Sequence, residues 1–377
     1  MKKTILGKNE LVFPWRQGNQ HRFLIDGKQF YPAMLTAISQ ARHFVLMEMY
    51  LFESGRVADQ FIDAFIYASR RGIPVFILVD GYGGLGLSKT DRNRMITAGV
   101  NLVEYNPLRF KKVKKNLFRT HRKCLIIDGH QAFVGGAGIT DSFDGQCAWR
   151  ETVIEIKGKV VKDWQTLFTT NFNKWSDKPV PPIINDFTTN GGNIDARVAY
   201  TSGGSHLEIK KILLNRVYKS RRKVWLASAY FVPSRKIRKS LRKAAFKGKD
   251  VRLLLPGPVT DHPAVRYASR RYYARLLRFG VRIFEYQDRF SHTKILLIDD
   301  WFSIGSSNMD RWDFRWNLEA NQEIRNRDAA RQVSEILLND FAHSKEIVYQ
   351  DWKKRSWILR FKEWIWGKVD LFLNSQL

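Results

Sequence analysis

The sequence has few cysteines and no long apolar run. Cys124 and Cys147 are its only cysteines, too few for a disulfide framework and without a metal-binding spacing. No stretch of 18 or more apolar residues occurs, so we predict no transmembrane helix. The N-terminal residues 1–15 are interrupted by Lys8 and Glu10, which is untypical of a signal peptide. We therefore expect a protein of the reducing cytoplasm, either in solution or at a membrane surface.

Acidic residues are scarce relative to basic ones. The chain has 64 Lys and Arg against 36 Asp and Glu, a net charge of +28, and both halves are basic. A field of this size indicates a polyanionic partner, either nucleic acid or an anionic membrane surface, and charge alone does not choose between them. With 377 residues and 44% hydrophobic residues, the chain is long enough and apolar enough for two folded domains.

A series of strands and helices occurs twice. Residues 70–81 (RRGIPVFILVDG) correspond to residues 246–257 (FKGKDVRLLLPG), and 98–106 (AGVNLVEYN) to 279–287 (FGVRIFEYQ). Because the matches keep their order, they indicate a duplicated domain. Alternating strands and helices predict an α/β fold with a mostly parallel sheet in each half and helices on both of its faces.

The same pattern predicts the elements of the first half and the division of the chain. Helices are expected over Tyr31–Arg42, Val57–Arg71 and Asp91–Ala98, and strands over Phe44–Phe52, Val75–Val79 and Val100–Tyr105. The predicted domains are 1–178 and 195–345, with a linker over 179–194 and a basic, tryptophan-rich extension over 346–377. In that extension Trp357, Phe361, Trp364 and Ile365 share a helical face, which either packs on the core or lies at a membrane interface.

Each half contains the pattern H-x-K-x-x-x-x-D. It is formed by His121, Lys123 and Asp128, and again by His292, Lys294 and Asp299. A Gly-Gly or Gly-Ser pair follows each copy, and then comes a glutamate, Glu151 or Glu319. Strand alternation places the histidine and lysine of each copy on one face. An imidazole beside a fixed cation suits a substrate that carries a phosphate, and two copies suggest one composite site.

These residue types predict a division of roles in phosphodiester chemistry without metal or other cofactor. One histidine attacks phosphorus, and the other protonates the leaving oxygen and then deprotonates the acceptor. Lys123 and Lys294 would hold the non-bridging oxygens. The other members of the predicted site are Ser306 and Asn308 as hydrogen-bond donors, Glu151 and Glu319 as acceptors of a histidine N–H, and Asp128 and Asp299, which end buried strands and are expected to be structural.

A basic segment precedes the first motif. Between Asn106 and His121 the chain carries Arg109, Lys111, Lys112, Lys114, Lys115 and Arg119 and no acidic residue. Either this segment is a solvated loop, or it is an electrostatic collar that steers anionic head groups to the site.

The motifs and the blocks around them resemble the phospholipase D superfamily, in particular its bacterial cardiolipin synthase branch. The blocks are EMYLF, GIPVFILVDGYG, THRKCLIIDG, YFVPS, HTKILLID and GSSNMD, and the resemblance extends from about residue 30 to 345. It implies two phospholipase D-like α/β domains related by a pseudo-twofold axis, one composite active site and a phosphohistidine intermediate. It also implies His121 as the nucleophile and His292 as the acid/base, although the two motifs are symmetric in sequence and the reverse assignment stays open.

The chain departs from the superfamily at one position. Where the second motif has Asn308, the first has Gly138, although the superfamily usually has asparagine in both places. An equal role of the two halves is therefore in question. The chain is similar to the members of the branch that lack an N-terminal pair of transmembrane helices.

The leading hypothesis is a cardiolipin synthase with phosphatidylglycerol as donor and acceptor. The alternatives are a hydrolase that releases phosphatidic acid, a nuclease of the same superfamily, and a non-enzymatic binding module. We expect a peripheral protein on the cytoplasmic side of the cell membrane. Its expected partners are phospholipid substrates and an anionic phospholipid surface, and nucleic acid is not expected.

Overall fold

The computed structural model describes residues 11–109, 113–183 and 192–376, which form two compact units. The first unit contains the chain up to His206 together with residues 304–306 and 316–324. The second contains residues 207–303, 307–315 and the chain from Arg325 onward. Two units agree with the predicted duplication.

The strands alternate with helices along most of the chain. The strands are β1 (Arg16–Ile25), β2 (Val45–Met49), β3 (Val75–Asp80), β4 (Asn101–Tyr105), β5 (Arg119–Thr120), β6 (Lys123–Ile127), β7 (Gln131–Gly135), β8 (Thr152–Lys157), β9 (Ile194–Ser202), β10 (Lys223–Ala227), β11 (Asp250–Pro256), β12 (Arg282–Tyr286), β13 (Ile295–Ile298), β14 (Trp301–Gly305), β15 (Asn317–Arg325) and β16 (Ser344–Glu346). The helices are α1 (Gly27–Ser39), α2 (Arg56–Arg70), α3 (Lys89–Thr97), α4 (Val161–Phe172), α5 (Glu208–Lys219), α6 (Arg235–Phe246), α7 (Pro263–Arg270), α8 (Tyr273–Leu277), α9 (Arg311–Trp316), α10 (Arg327–Ala342), α11 (Tyr349–Lys353) and α12 (Trp357–Gln376).

The sheet of each unit is mixed, not mostly parallel as predicted. In the first unit the strand order is β15-β9-β1-β8-β7-β6-β2-β3-β4, and only β2, β3 and β4 run parallel in succession. In the second unit the order is β16-β12-β11-β10-β13-β14, with β10, β11 and β12 parallel. The motif strand β6 pairs antiparallel with β2, and β13 pairs antiparallel with β10. Tight turns such as the one between β6 and β7 permit only antiparallel neighbours.

Helices cover both faces of the sheet in the first unit. The side chain of Met47 in β2 joins the buried cluster formed with α1 and α2, where Phe61 and Phe65 are fully buried. The next residue, Glu48, points to the other face and accepts a hydrogen bond from Asn171 of α4 at 2.7 Å. Burial of each large apolar side chain contributes about 1.5–3 kcal/mol, so α2 is stabilised mainly by this packing.

For most predicted helices and strands, the predicted first and last residues differ from those in the structure by a few positions. The larger difference concerns β9, which pairs with β1 through Arg16 and Ala196 and therefore belongs to the first unit. Half of the predicted linker, residues 184–191, lies outside the described residues, so the limits of the linker stay a prediction. Ser234 stands at the N-cap of α6, but its side chain makes no capping hydrogen bond.

Candidate active site

The first motif lies where β5 meets β15. Strand β5 runs parallel to β15, and the main-chain N–H of His121 donates to the carbonyl oxygen of Leu318 at 2.9 Å. The side chains of His121 and Lys123 are both buried. Lys123 Nζ donates to the carbonyl oxygen of His121 at 2.7 Å, so the motif lysine also braces the chain at the motif histidine.

His121 is held by a carboxylate from the far end of the sequence. Its Nδ1 lies 2.9 Å from Oε1 of Glu319, whose side chain is 0% exposed. The second oxygen, Oε2, accepts a hydrogen bond from Ser306 Oγ at 2.5 Å. Because a carboxylate only accepts, Nδ1 carries the proton and the lone pair of the neutral ring lies on Nε2. Glu319 was predicted to orient a histidine, and this geometry fits that role for His121.

The hydroxyl of Ser306 makes its hydrogen bonds within the protein, and its predicted bond to a phosphate stays a prediction. Its hydroxyl hydrogen is directed to Glu319, and its oxygen accepts the N–H of Ala320 at 3.1 Å. The side chain therefore fixes the carboxylate that fixes the imidazole. A direct bond from Ser306 to a phosphate would have to break this arrangement.

Tyr50 also contacts the first motif, although it is not among the predicted site residues. Its ring packs edge-on against the His121 ring with centroids 4.8 Å apart. Lys123 Nζ lies 5.0 Å from the centre of the same ring. Tyr50 follows β2, and the end of a buried strand beside the motif strand was the signal available in the sequence.

Asp80 anchors the chain just before His121. Its carboxylate accepts the N–H of Thr120 at 2.9 Å and those of Tyr82 and Gly83 at 2.8 and 3.0 Å. Burial raises the pKa of Asp80, and the nearby Arg119 guanidinium offsets only part of that effect. Asp80 thus positions the peptide that leads into the motif, a role that sequence reasoning missed.

The basic segment before His121 divides into buried and exposed parts. Arg119 is buried and donates to the carbonyl oxygen of Asn106 at 2.8 Å, so it is a structural residue and not part of a surface collar. Arg109, Lys114 and Lys115 are exposed. Lys111 and Lys112 lie outside the described residues.

In the second unit His292 and Lys294 lie side by side. Lys294 Nζ donates to the carbonyl oxygen of His292 at 2.6 Å, the same contact that Lys123 makes in the first unit. The ammonium is also 3.0 Å from Nδ1 and 3.1 Å from Nε2 of His292. Both side chains are buried. A fixed cation therefore adjoins this imidazole.

Asn308 is fully buried in the second unit. Its Nδ2 donates to Asp313 Oδ2 at 2.9 Å, and its Oδ1 accepts the N–H of Tyr230 at 3.4 Å. One of the two Nδ2 hydrogens is therefore already engaged, and a phosphate oxygen would have to use the other. The sequence analysis did not identify Asp313, which orients this amide.

Asp128 and Asp299 have equivalent structural environments. Each lies at positive φ, 53° and 52°, just after its motif strand. The Asp128 carboxylate accepts the main-chain N–H groups of residues 42–44, and the Asp299 carboxylate those of residues 221–223. Burial alone would raise the pKa of Asp299, but these N–H groups outweigh it and lower the pKa. Each carboxylate ties the end of a motif strand to the start of the neighbouring strand.

The glycine that replaces asparagine in the first motif leaves no space for a side chain. A Cβ at Gly138 would lie 2.8 Å from both the carbonyl oxygen and the Cβ of Leu51. The carbonyl oxygen of Gly138 also accepts a hydrogen bond from Tyr31 at 2.8 Å. The backbone packing of the first unit therefore excludes an asparagine here, and the two half-sites differ physically.

Glu151 and Cys124 are also buried in the first unit. Glu151 Oε1 accepts the N–H of Thr152 at 2.9 Å, and its predicted action on a histidine stays a prediction. Cys124 lies in β6 as a small core residue, and burial raises the pKa of its thiol.

Comparison with known proteins gives the family. The family described as "Cardiolipin synthase, PLD-like domain" matches residues 34–175 and 213–341. The chain belongs to this family. The two matched stretches confirm the predicted duplication, and the predicted enzyme class, a phosphatidyltransferase of the phospholipase D superfamily, agrees with it.

Individual relatives extend over most of the chain. A cardiolipin synthase of Alkalihalophilus pseudofirmus is 31% identical over 371 residues, covering 95% of this chain and 72% of the relative. Cardiolipin synthase 2 of Bacillus cereus is 32% identical over 345 residues, covering 89% and 67%. The crystal structure of phosphatidylserine synthase from Haemophilus influenzae aligns with a TM-score of 0.75 at 13% identity, covering 95% of this chain and 93% of that one. At this identity the structural likeness confirms the fold alone.

None of the helices among the described residues is both long and apolar enough to cross a bilayer.

Proposed function

We propose that the protein transfers a phosphatidyl group from one phosphatidylglycerol to a hydroxyl of a second, which makes cardiolipin and releases glycerol. The observation that supports this most is His121 held at Nδ1 by the buried Glu319, in a chain that belongs to the cardiolipin synthase family. An imidazole whose free lone pair lies on Nε2 is suited to attack phosphorus.

In the proposed reaction Nε2 of His121 attacks phosphorus, and the bond from phosphorus to the oxygen of the head-group glycerol breaks. His292 gives its proton to that oxygen, and glycerol leaves. The acceptor hydroxyl then gives its proton to His292 and attacks phosphorus, and the bond to Nε2 breaks. Glu319 stabilises the positive charge that the His121 ring gains in the first step.

The two lysines and Asn308 would offset charge on the phosphoryl oxygens. Lys123 and Lys294 are each fixed by a bond to a motif carbonyl, so their orientation is set before substrate arrives. Asn308 is fixed by Asp313 and can offer its second Nδ2 hydrogen. We assign positioning, not proton transfer, to Asp128 and Asp299 because their carboxylates are occupied by main-chain N–H groups.

Product analysis tests the proposal. Purified protein is incubated with phosphatidylglycerol in mixed micelles, with and without added glycerol, and the lipids are separated. Cardiolipin with an equal amount of released glycerol is expected, and added glycerol should reverse the reaction. Phosphatidic acid alone would show a hydrolase instead. No lipid turnover, together with cleavage of nucleic acid, would show a nuclease.

A variant pair tests the roles of the histidines. His121→Ala and His292→Ala should each abolish turnover. The control is His262→Ala, because His262 is exposed and has no role in the proposed mechanism. With substrate radiolabelled at the phosphate, denatured protein should keep an acid-labile label only where His121 is present. Label that persists in His121→Ala would reverse the assignment of the two histidines.

We also propose that the protein acts at the cytoplasmic face of the cell membrane. Its two cysteines are unpaired, and its charge of +28 suits an anionic leaflet. Cys147 is exposed and offers a direct test. A membrane-impermeant maleimide should label Cys147 only after the cells are opened, and labelling of intact cells would place the protein on the other side.

A further inference from the structure

Helix α12 displays its aromatic residues to the outside. Trp357, Phe361 and Trp364 are 75%, 53% and 58% exposed. Ile358 and Ile365 are exposed beside them. At about 100° per residue these five side chains fall on one side of the helix and form a continuous apolar stripe. A monomeric protein in water rarely exposes such a stripe without a partner for it.

Ion pairs on the opposite side of α12 hold the helix against the rest of the second unit. Glu363 is buried, and its carboxylate makes ion pairs with Arg355 at 2.8 Å and Arg270 of α7 at 3.3 Å. Both guanidinium groups also lie over the ring of Trp352, at 4.1 and 4.6 Å. One turn further on, Gly367 is buried and its carbonyl oxygen accepts a hydrogen bond from Arg271.

The sequence left two interpretations of the extension, packing on the core or lying at a membrane interface, and this attachment bears on both. The helix does pack on the protein, but through its polar side, so packing does not cover the aromatic side chains. A Cβ at Gly367 would meet the side chain of Arg271, so the two residues lie in close contact. These contacts leave the stripe on the outer side of the helix.

The charges around the stripe indicate what covers it. Arg360 and Lys362 are exposed, and at about 100° per residue they border the stripe on its two sides. Lys353 and Lys354, just before the helix, are exposed as well. Tryptophan beside cations is the composition of a helix that lies in the head-group region of a bilayer, with rings at the interface and cations on anionic phosphates. A protein partner would not require cations on both borders.

We propose that the side of α12 formed by Trp357, Phe361 and Trp364 docks on an anionic phospholipid bilayer, with Arg360 and Lys362 on lipid phosphates. The ion pairs of Glu363 fix this side relative to the second unit, so docking also sets the orientation of that unit on the membrane. The inference deepens the proposed function by naming its membrane-binding surface, but binding can be measured without any turnover.

Vesicle flotation tests the inference with the full chain. The variant Trp357→Ser/Phe361→Ser/Trp364→Ser removes the three aromatic side chains of the stripe, all of which are more than half exposed. The matched control is Tyr67→Ser/Ile96→Ser/Tyr218→Ser, which removes three side chains of similar exposure elsewhere. Vesicles contain either phosphatidylcholine alone or phosphatidylcholine with phosphatidylglycerol. Thermal unfolding and turnover in mixed micelles are measured for every protein.

We expect the stripe variant to need at least about tenfold more anionic lipid for half-maximal binding, with unchanged unfolding temperature and micelle turnover. The control variant should bind like the wild type. Tryptophan fluorescence of the wild type should be quenched by lipids brominated on the acyl chain, and this quenching should disappear in the stripe variant. The variant Arg360→Gln/Lys362→Gln should bind anionic vesicles more weakly than the wild type at low salt. At high salt this difference in binding should vanish.

Equal binding of the stripe variant and the wild type would overturn the inference, as would a wild type without bromolipid quenching. A stripe variant that binds normally to vesicles but self-associates less than the wild type would show that a second copy of the chain covers the stripe. Wild-type binding without lipid turnover would leave the inference standing and refute the proposed function.

Discussion

The contact between His121 and Glu319 gives the sharpest test of the proposed chemistry. The variant Glu319→Gln keeps the shape of the side chain and removes its negative charge. The carboxylate is fully buried, and its Oε1 lies 2.9 Å from Nδ1 of the ring that becomes positive during attack. At about 4 Å between charge centres and an effective dielectric constant of about 20, the lost attraction is about 4 kcal/mol. That is about three decades in rate, and a remaining amide acceptor should reduce the loss to about 100- to 1000-fold.

A second effect acts in the same direction. The carboxylate accepts from His121 Nδ1 and from Ser306 Oγ with different oxygens. A glutamine has one acceptor oxygen, so its NH2 group must face one of these two donors. If the NH2 group faces the ring, Nδ1 has to become the acceptor, and the lone pair on Nε2 is lost. The variant should therefore slow formation of the phosphohistidine itself.

The assay is single-turnover labelling of the protein with phosphate-labelled phosphatidylglycerol, together with steady-state cardiolipin formation. The control is Glu323→Gln, which changes a buried carboxylate on the same strand that pairs with Arg197 instead of a histidine. Glu323→Gln should retain nearly full activity per folded molecule. A loss of less than about tenfold in Glu319→Gln, which corresponds to about 1.4 kcal/mol, would refute the charge argument.

Three further outcomes follow from the local geometry. Because its pKa is lowered in the folded protein, Asp299 stabilises the fold above the carboxyl pKa of the unfolded chain, and this contribution disappears as pH falls through the folded value. The urea midpoints of Asp299→Asn and wild type should therefore differ at neutral pH and converge as the pH falls below the carboxyl range. Gly138→Asn should cost about 1–3 kcal/mol of unfolding free energy because no space exists for its Cβ. Gly145→Asn meets no atom within 4 Å and is strained only by its positive φ, so it should lower the unfolding free energy less. Cys147 alone should react with a thiol reagent in the native protein, and Cys124 should react only after denaturation, so two reactive thiols in the native state would contradict its burial.

Local patterns were sufficient to predict the two repeats and their principal elements. The predicted strand Val75–Val79 differs from β3 by one residue at its end, because a short apolar run between polar residues has few alternatives. The α2 prediction differs by one residue at each end, since a strongly amphipathic stretch ends at Gly72, which adopts a φ of 81°. The sheet direction was wrong in part because β6 and β13 return through tight turns, and strand–helix alternation does not describe them.

The sequence was sufficient to predict which residues form the site, but not which of them contact one another. Spacing identified both histidines, both lysines and Glu319, but it could not show which histidine Glu319 contacts. That contact depends on β5 lying parallel to β15, which joins segments about 200 residues apart in sequence. Asp80 and Asp313 were missed for a related reason. They act through main-chain and amide groups that only the folded chain brings to them.

The assignment of residues 304–306 and 316–324 to the first unit has a consequence for how the chain can be divided. Trp164 of α4 donates to Gln322 at 2.8 Å, and Arg197 of β9 pairs with Glu323, so the late strand is part of the first unit's interior. A fragment ending at residue 206 would have the motif histidine without its carboxylate and β9 with an open edge. Although the sequence reads as a tandem duplication, its halves are not interchangeable modules. We expect neither half to fold completely when it is expressed without the other.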